Sequence, residues 1–315
     1  MATVAFSTVA CADRTLGGVA ALAAQQRWPG VELRTFGDDS RTSACDPALS
    51  GHQKVRALLR RAGVEPVSLA TGIGFGEAVS PPVIGHVFSD TERAVRAAQR
   101  AVDLAALLEC PLVRVFGFEL PAYERRVSGV RRIVDRLRKV VDHADRSGVA
   151  LALENGGALD TPERLMEVVG AVASPLLGVS YNLAASWSAG QDPARALGTI
   201  GPALRILRVK DLRSGVPVRL GAGDVPWAGA IERALLAGFA GPVVFEYDRA
   251  WLPGLEEPEG VLADAIERLF GVIGAVRGGL GAPPPGAAPA GAGVGAAVGG
   301  AGVGGAGVVG GAGRP

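Results

Sequence analysis

The sequence predicts an α/β fold, a (β/α)8 TIM barrel over residues 1–277, followed by a low-complexity, disordered segment over 278–315. Three observations point there. Eight short apolar runs alternate with amphipathic helical stretches from residue 3 to about 277, the count that closes such a barrel. No early run leads into the GxGxxG or P-loop turn that marks an open, doubly wound sheet. From Gly278 the chain reads GGLGAPPPGAAPAGAGVGAAVGGAGVGGAGVVGGAGRP, without a charge before Arg314. Glycine loses the most entropy on ordering, and Ala and Val bury little, so this stretch is not expected to fold; it is also too glycine-rich for a membrane helix.

The strand candidates are TVAFST (3–8), GVELRTF (30–36), EPVSLAT (65–71), LVRVFGF (112–118), VALALEN (149–155), LGVSYNL (177–183), ILRVKDL (206–212) and PVVFEYD (242–248). Between them lie the helical stretches LGGVAALAAQQR, HQKVRALLRRAG, TERAVRAAQRAVDLAALL, VSGVRRIVDRLRKVVDHADRSG, TPERLMEVVGAV, DPARALGTIG and WAGAIERALLAG, and PEGVLADAIERLFGVIGAV closes the series. Ser89 and Asp90 are cap residues for the third helix, Thr161-Pro162-Glu163 opens the fifth, and Gly148 and Gly238 stand where left-handed C-terminal caps are expected. GIGFG (72–76) is followed by a long loop rather than a helix, so it reads as a mobile active-site loop, not a phosphate cradle.

A net charge of +1 with 20% charged residues gives no electrostatic footprint for nucleic acid or a membrane surface, so a small-molecule substrate is the expected partner. Cys11, Cys45 and Cys110 lack metal-ligand spacing and read as reduced packing residues, in keeping with a cytoplasmic protein. Oligomeric state is left open by the sequence. Lysine is rare: Lys54, Lys139 and Lys210 are 3 of 32 basic residues, which leaves 29 arginines. Lys210 stands out against that background.

In a barrel of this kind the pocket forms at the C-terminal ends of the strands. The polar residues there are Glu32, Arg34, Arg114, Glu154, Asn155, Asn182, Arg208, Lys210, Glu246 and Asp248. A strand alternates faces with period two, so Ile206, Arg208 and Lys210 share one face. Cations inside an apolar strand need an answering negative charge.

GVELR (30–34), LALEN (151–155), RVKD (208–211), LGAGDVPW (220–227) and GPVVFEYD (241–248) resemble the xylose isomerase-like TIM barrels over nearly all of 3–270. That superfamily embraces sugar phosphate isomerases and epimerases, hydroxypyruvate isomerase and the endonuclease IV-like proteins. The resemblance implies a divalent metal, Mn²⁺ or Mg²⁺, held by a Glu on the fifth strand, an Asp on the sixth, a His on the seventh and a Glu on the eighth. Residue by residue, the two glutamates are Glu154 and Glu246. The Asp position holds Asn182, and the His position holds Arg208. The usual Thr-Gly-His reads Leu183-Ala184-Ala185, and Gly156 replaces the His that often follows Glu-Asn. A metal, if present, would have only Glu154, Asn182 and Glu246.

Arginine cannot ligate, because its guanidinium offers no lone pair and stays protonated. At about 4 Å and an effective dielectric of about 20, its repulsion of a divalent ion is roughly 8 kcal/mol. No cofactor is therefore expected, and the guanidinium is expected to bridge Glu154 and Glu246 in the metal's place. Catalysis is assigned to Glu154, Glu246, Lys210 and Arg208. The glutamates move a proton next to a carbonyl, as the resemblance implies, and the cations stabilise the developing enolate oxygen. Substrate contacts are assigned to Glu32, Arg114, Asn182, His86 and Trp187, with Trp227 and Trp251 as further walls and Arg34 paired with Glu32. The expected function is that of a sugar isomerase or epimerase on a small polyhydroxy substrate. A metal-independent lyase, dehydratase or cyclase, or a non-catalytic ligand-binding relative, are the alternatives. An endonuclease IV-like role conflicts with the lack of a His-rich site.

Overall fold

The computed structural model describes residues 2–37, 43–77, 92–117, 119–121 and 123–281. Seven strands run in chain order as β1 (Val4–Ser7), β2 (Gly30–Arg34), β3 (Glu65–Gly74), β4 (Leu112–Phe116), β5 (Ala150–Glu154), β6 (Leu177–Asn182) and β7 (Leu204–Val209). A small antiparallel hairpin follows, β8 (Asp211–Arg213) with β9 (Val216–Val218), and then β10 (Val243–Phe245). Strands β1 to β7 and β10 pair in parallel, and β10 closes on β1 to complete an eight-stranded barrel. The predicted fold class is the observed one.

Helices cover the outside: α1 (Leu16–Gln25), α2 (His52–Ala62), α3 (Arg93–Leu107), α4 (Arg126–Ala144), α5 (Pro162–Val172), α6 (Leu183–Ser188), α7 (Pro193–Ile200), α8 (Trp227–Leu236) and α9 (Pro258–Gly281). Their apolar residues recur at three- and four-residue spacing, which lays one stripe on the sheet. In α3 the buried stripe is Val95, Ala98, Ala101, Val102 and Ala105. The predicted start signal acts at α5, and Asp192 caps α7 in the same way. Thr161 Oγ1 accepts from Arg164 N at 3.3 Å, and Asp192 Oδ1 accepts from Ala194 N at 3.0 Å. Gly63 and Gly238 end α2 and α8 with φ of 68° and 86°, a region that costs a side chain energy. Ser89 and Asp90 lie outside the described residues, as does 282–315. Among the described residues no helix is long and apolar enough to cross a membrane. The three cysteines are free and buried.

Two expectations need correction. ILRVKDL is not one strand: β7 stops at Val209, and Asp211–Arg213 turns away to pair with Val216–Val218. The cause is the Asp211 side chain, which accepts backbone N–H groups of Leu212 (2.9 Å), Gly221 (2.8 Å), Gly223 (2.9 Å) and Val225 (3.1 Å). The whole LGAGDVPW loop therefore winds round one buried carboxylate. A Cβ on Gly223 would sit 2.2 Å from Asp211 Oδ1, so only glycine fits there. The second correction concerns GIGFG. Strand β3 runs on through Gly74, and the next residues are tied to α4: Arg136 donates to Phe75 O at 2.8 Å and Arg132 to Gly76 O at 2.8 Å.

Candidate active site

The barrel interior is layered by strand period. Ala5, Val67, Leu112, Ala152, Ile206 and Val244 form an apolar cluster of their own inside the barrel. Two residues further along the same strands come Ser7, Arg114, Glu154, Arg208 and Glu246, and these are polar and buried. Glu32 joins them from β2, where it lies in register with Ser7 and Ser68. One more step toward the C-terminal ends brings Lys210 and Asp248. The shared face predicted for Ile206, Arg208 and Lys210 is thus the inward one.

Arg208 is the hub. Its side chain is 1% exposed, and its guanidinium touches three carboxylates. Nη1 donates to Glu32 Oε2 at 2.6 Å, Nε lies 3.2 Å from Glu154 Oε2, and Nη2 contacts Glu246 Oε2. The predicted bridge between Glu154 and Glu246 is present, with Glu32 as a third anchor. The remaining carboxylate oxygens are largely taken. Glu154 Oε2 also accepts from Arg114 Nη1 at 2.7 Å and its Oε1 from Asn182 Nδ2 at 3.1 Å. Glu32 Oε2 accepts from Ser68 Oγ at 2.8 Å. Glu246 Oε1 meets Lys210 Nζ at 2.7 Å, and the same ammonium donates to Asp248 Oδ1 and Oδ2 at 2.9 and 2.7 Å.

Titration follows from this arrangement. Burial alone pushes the Glu32 carboxyl up, but the guanidiniums of Arg208 and Arg114 outweigh it and bring it down to about 2. The same contest, with Arg114 ahead of Arg208, leaves Glu154 below the usual carboxylate range. Burial pushes the Lys210 ammonium down; Asp248 opposes that shift and Arg208 reinforces it.

The assigned residues that are described have definite places. Glu32 is wholly buried and serves Arg208, while the Arg34 guanidinium lies over the rings of Phe36 and Trp251 at 4.9 and 5.6 Å. Arg114 is spent on Glu154 and on the Thr71 carbonyl, at 3.3 Å. Trp187 sits on α6, which starts directly from Asn182, and is 42% exposed; Trp227 is buried. His86 lies outside the described residues. Asp248, named from the sequence as a strand-end residue but given no role, is Lys210's second partner; the period-two argument applied to FEYD finds it. Nothing in the sequence marked Ser68; Asn155, named as a strand-end polar residue without a role, uses its amide to clamp Asn182 N (2.7 Å) and O (3.1 Å) and joins the ends of β5 and β6.

The donor set does not fit a divalent cation. Three carboxylates (Glu32, Glu154, Glu246) already face three cations (Arg114, Arg208, Lys210), and the guanidinium fills the space between them. Asn182 is matched to that state. Its Oδ1 accepts from Ala185 N at 3.1 Å to cap α6 while its Nδ2 donates to Glu154. An Asp at 182 could not donate to Glu154 and would add like charge against it. Among the described residues no group of three or more His, Cys, Asp or Glu has metal-holding geometry.

Two cavities lie apart from this cluster. One of about 480 Å³ opens between Thr35–Phe36, Thr71–Gly74 and α3. The other, about 660 Å³, sits at the opposite end of the barrel beside Val67 and Leu112, the face that serves stability rather than chemistry.

A closed parallel barrel whose strand ends converge on buried, compensated charges has the architecture of a barrel enzyme's catalytic end. The profile of the xylose isomerase-like TIM barrel family matches residues 20–270, and the chain belongs to that family. Solved structures agree on the fold. An L-ribulose 3-epimerase superposes with a TM-score of 0.74 at 15% identity, covering 89% of this chain and 97% of that one. The probable 3-DHS dehydratase AsbF involved in petrobactin synthesis, from Bacillus anthracis, gives 0.69 at 14%, with 85% and 98% covered. The IOLI protein with a binding zinc atom gives 0.71 at 17%, with 87% and 99% covered. No curated protein matches the sequence.

Proposed function

We propose that this protein is a metal-independent enzyme that moves a proton on the carbon next to a carbonyl of a small polyhydroxy compound. The observation that carries the reading is the Glu246–Lys210–Asp248 run at the barrel mouth, next to an Arg208 held in its own layer by Glu32, Glu154 and Glu246. Glu246 is the proton acceptor, Lys210 faces the developing enolate oxygen, and Arg208 supplies the positive field that a metal would supply elsewhere. Glu154, held by two guanidiniums, fixes Arg208 and Arg114 rather than exchanging protons. Epimerases and a dehydratase among the structural relatives support the class. Both reactions begin with loss of a proton beside a carbonyl. A leaving hydroxyl on the next carbon turns isomerisation into loss of water.

The test is hydrogen exchange at that carbon, followed by NMR in D₂O with ketoses, aldoses and hydroxy-ketoacids, with a chelator present. Wild-type protein is expected to exchange it, and Glu246→Gln to lose about 10²–10⁴-fold in rate, the usual contribution of a positioned acid or base. Full activity in Glu246→Gln removes that assignment. Ligand binding without exchange points to a non-catalytic relative.

A further inference from the structure

We propose that Lys210 forms a covalent imine with the substrate's carbonyl carbon, so that a lysine nitrogen serves as the electron sink. This deepens the proton-transfer reading above and rests on it. Four observations lead here.

First, a guanidinium is no nucleophile, and it occupies the centre of the site, so activation of a carbonyl falls to the next group up the strand. Second, that group is an amine, and it is accessible. The Lys210 side chain is 15% exposed against 1% for Arg208 on the same strand face. Third, the amine is seated between two carboxylates, with Glu246 Oε1 at 2.7 Å and Asp248 oxygens at 2.7 and 2.9 Å. Imine chemistry needs both: one to take the ammonium proton, one to move protons on the bound carbon. Fourth, the amine is the exception in composition. Every other cation of the cluster is arginine, and the two other lysines lie on the outside, Lys54 exposed on α2 and Lys139 paired with Glu92 at 2.7 Å.

The steps balance without an oxidant or reductant. Lys210 gives a proton to a neighbouring carboxylate, and its lone pair attacks the carbonyl carbon. The C–N bond forms, the C=O π pair moves to oxygen, and that oxygen takes up the proton which the newly bonded nitrogen loses, leaving a neutral carbinolamine. Its hydroxyl is protonated by the carboxyl that took the ammonium proton and leaves as water, while the nitrogen lone pair forms the C=N bond, giving a protonated imine and restoring the carboxylate. Glu246 then removes the neighbouring C–H proton, and its electron pair flows to nitrogen as an enamine. Reprotonation and hydrolysis return the amine.

The experiment is reductive trapping of the full chain with dihydroxyacetone and cyanoborohydride, read by intact mass and peptide mapping. The expected result is one reduced three-carbon adduct per chain, on the peptide containing Lys210. The adduct persists in the Lys54→Arg/Lys139→Arg double variant and falls to background in Lys210→Arg. Folding of Lys210→Arg, which keeps the charge, is verified by circular dichroism. Absence of an adduct at Lys210 in the wild-type chain, or equal modification of Lys54 and Lys139, overturns the proposal. Deuterium exchange at the carbon beside the carbonyl separates the two levels. Exchange without trapping, or exchange undiminished in Lys210→Arg, contradicts the imine and leaves proton transfer standing. Neither exchange nor trapping removes both.

Discussion

Ile206 and Arg208 are two residues apart on β7, point into the same barrel, and are both almost without solvent contact. Ile206 packs with Ala5, Val67, Leu112, Ala152 and Val244 in a layer of fitted volumes. Arg208 lies among Glu32, Glu154 and Glu246, in a layer of fitted charges. The lower layer gains by leaving water, about 25 cal/mol for each Å² of apolar surface buried. The upper layer loses by leaving water and recovers that cost only while each partner is present. The point on each strand where one rule gives way to the other is where the barrel stops being scaffold. The two layers should therefore respond to substitution in different ways.

The largest difference is expected at Arg208 itself. Arg208→Met leaves the buried Glu32 without its guanidinium and takes one partner each from Glu154 and Glu246, and removing one partner of a buried ion pair costs about 3–5 kcal/mol. Ile206→Val, one layer down, costs only about 0.5–1.5 kcal/mol. Urea unfolding of both variants measures the contrast, and similar values for the two would erase it.

Asp211→Ala comes next. It strips four backbone N–H groups of their shared acceptor, and bonds to a charged group contribute about 1.5–3 kcal/mol each before relaxation. The freed amides turn to water and recover most of those bonds, so a net loss of about 2 kcal/mol, the size of one such bond, is expected, with faster amide exchange confined to 212–225.

The third effect is set by pH. Glu32 falls from an ordinary value of 4.5 to about 2 on folding, so the unfolded chain binds its proton first. The stability it contributes is complete above about pH 4.5 and drains away as pH falls toward 2. Glu154, also lowered, acts in the same direction. Acid titration of unfolding should show this loss, and Glu32→Gln should flatten it. The Ile206→Val variant should leave the profile unchanged in shape.

Much of this was legible in the sequence, and the failures have physical causes. Period two alone put Ile206, Arg208 and Lys210 on one face, and the resemblance to the xylose isomerase-like barrels put Glu154 and Glu246 within reach of the guanidinium. Glu32 was assigned to Arg34, its neighbour on the strand, because local pairing is all that a strand displays. Closure of the barrel sets it against Arg208 instead, three strands away through β1 and β10. Helix α6 has six residues, too few for a helical period to show, so Asn182 could be read as a weakened metal ligand but not as the cap of a helix. The break after Val209 was invisible for a similar reason. Asp211 ends the strand through amides ten to fourteen residues further on, and their approach depends on Gly223 having no side chain.

The most direct measurement is the metal content of the purified chain after equilibration with Mn²⁺, Mg²⁺ or Zn²⁺ and removal of free ion. With Arg208 as the resident cation, the protein retains well under one equivalent of any of them, and its exchange activity is unchanged by chelator. Close to one tightly held divalent ion per chain, with activity that follows it, would contradict that assignment.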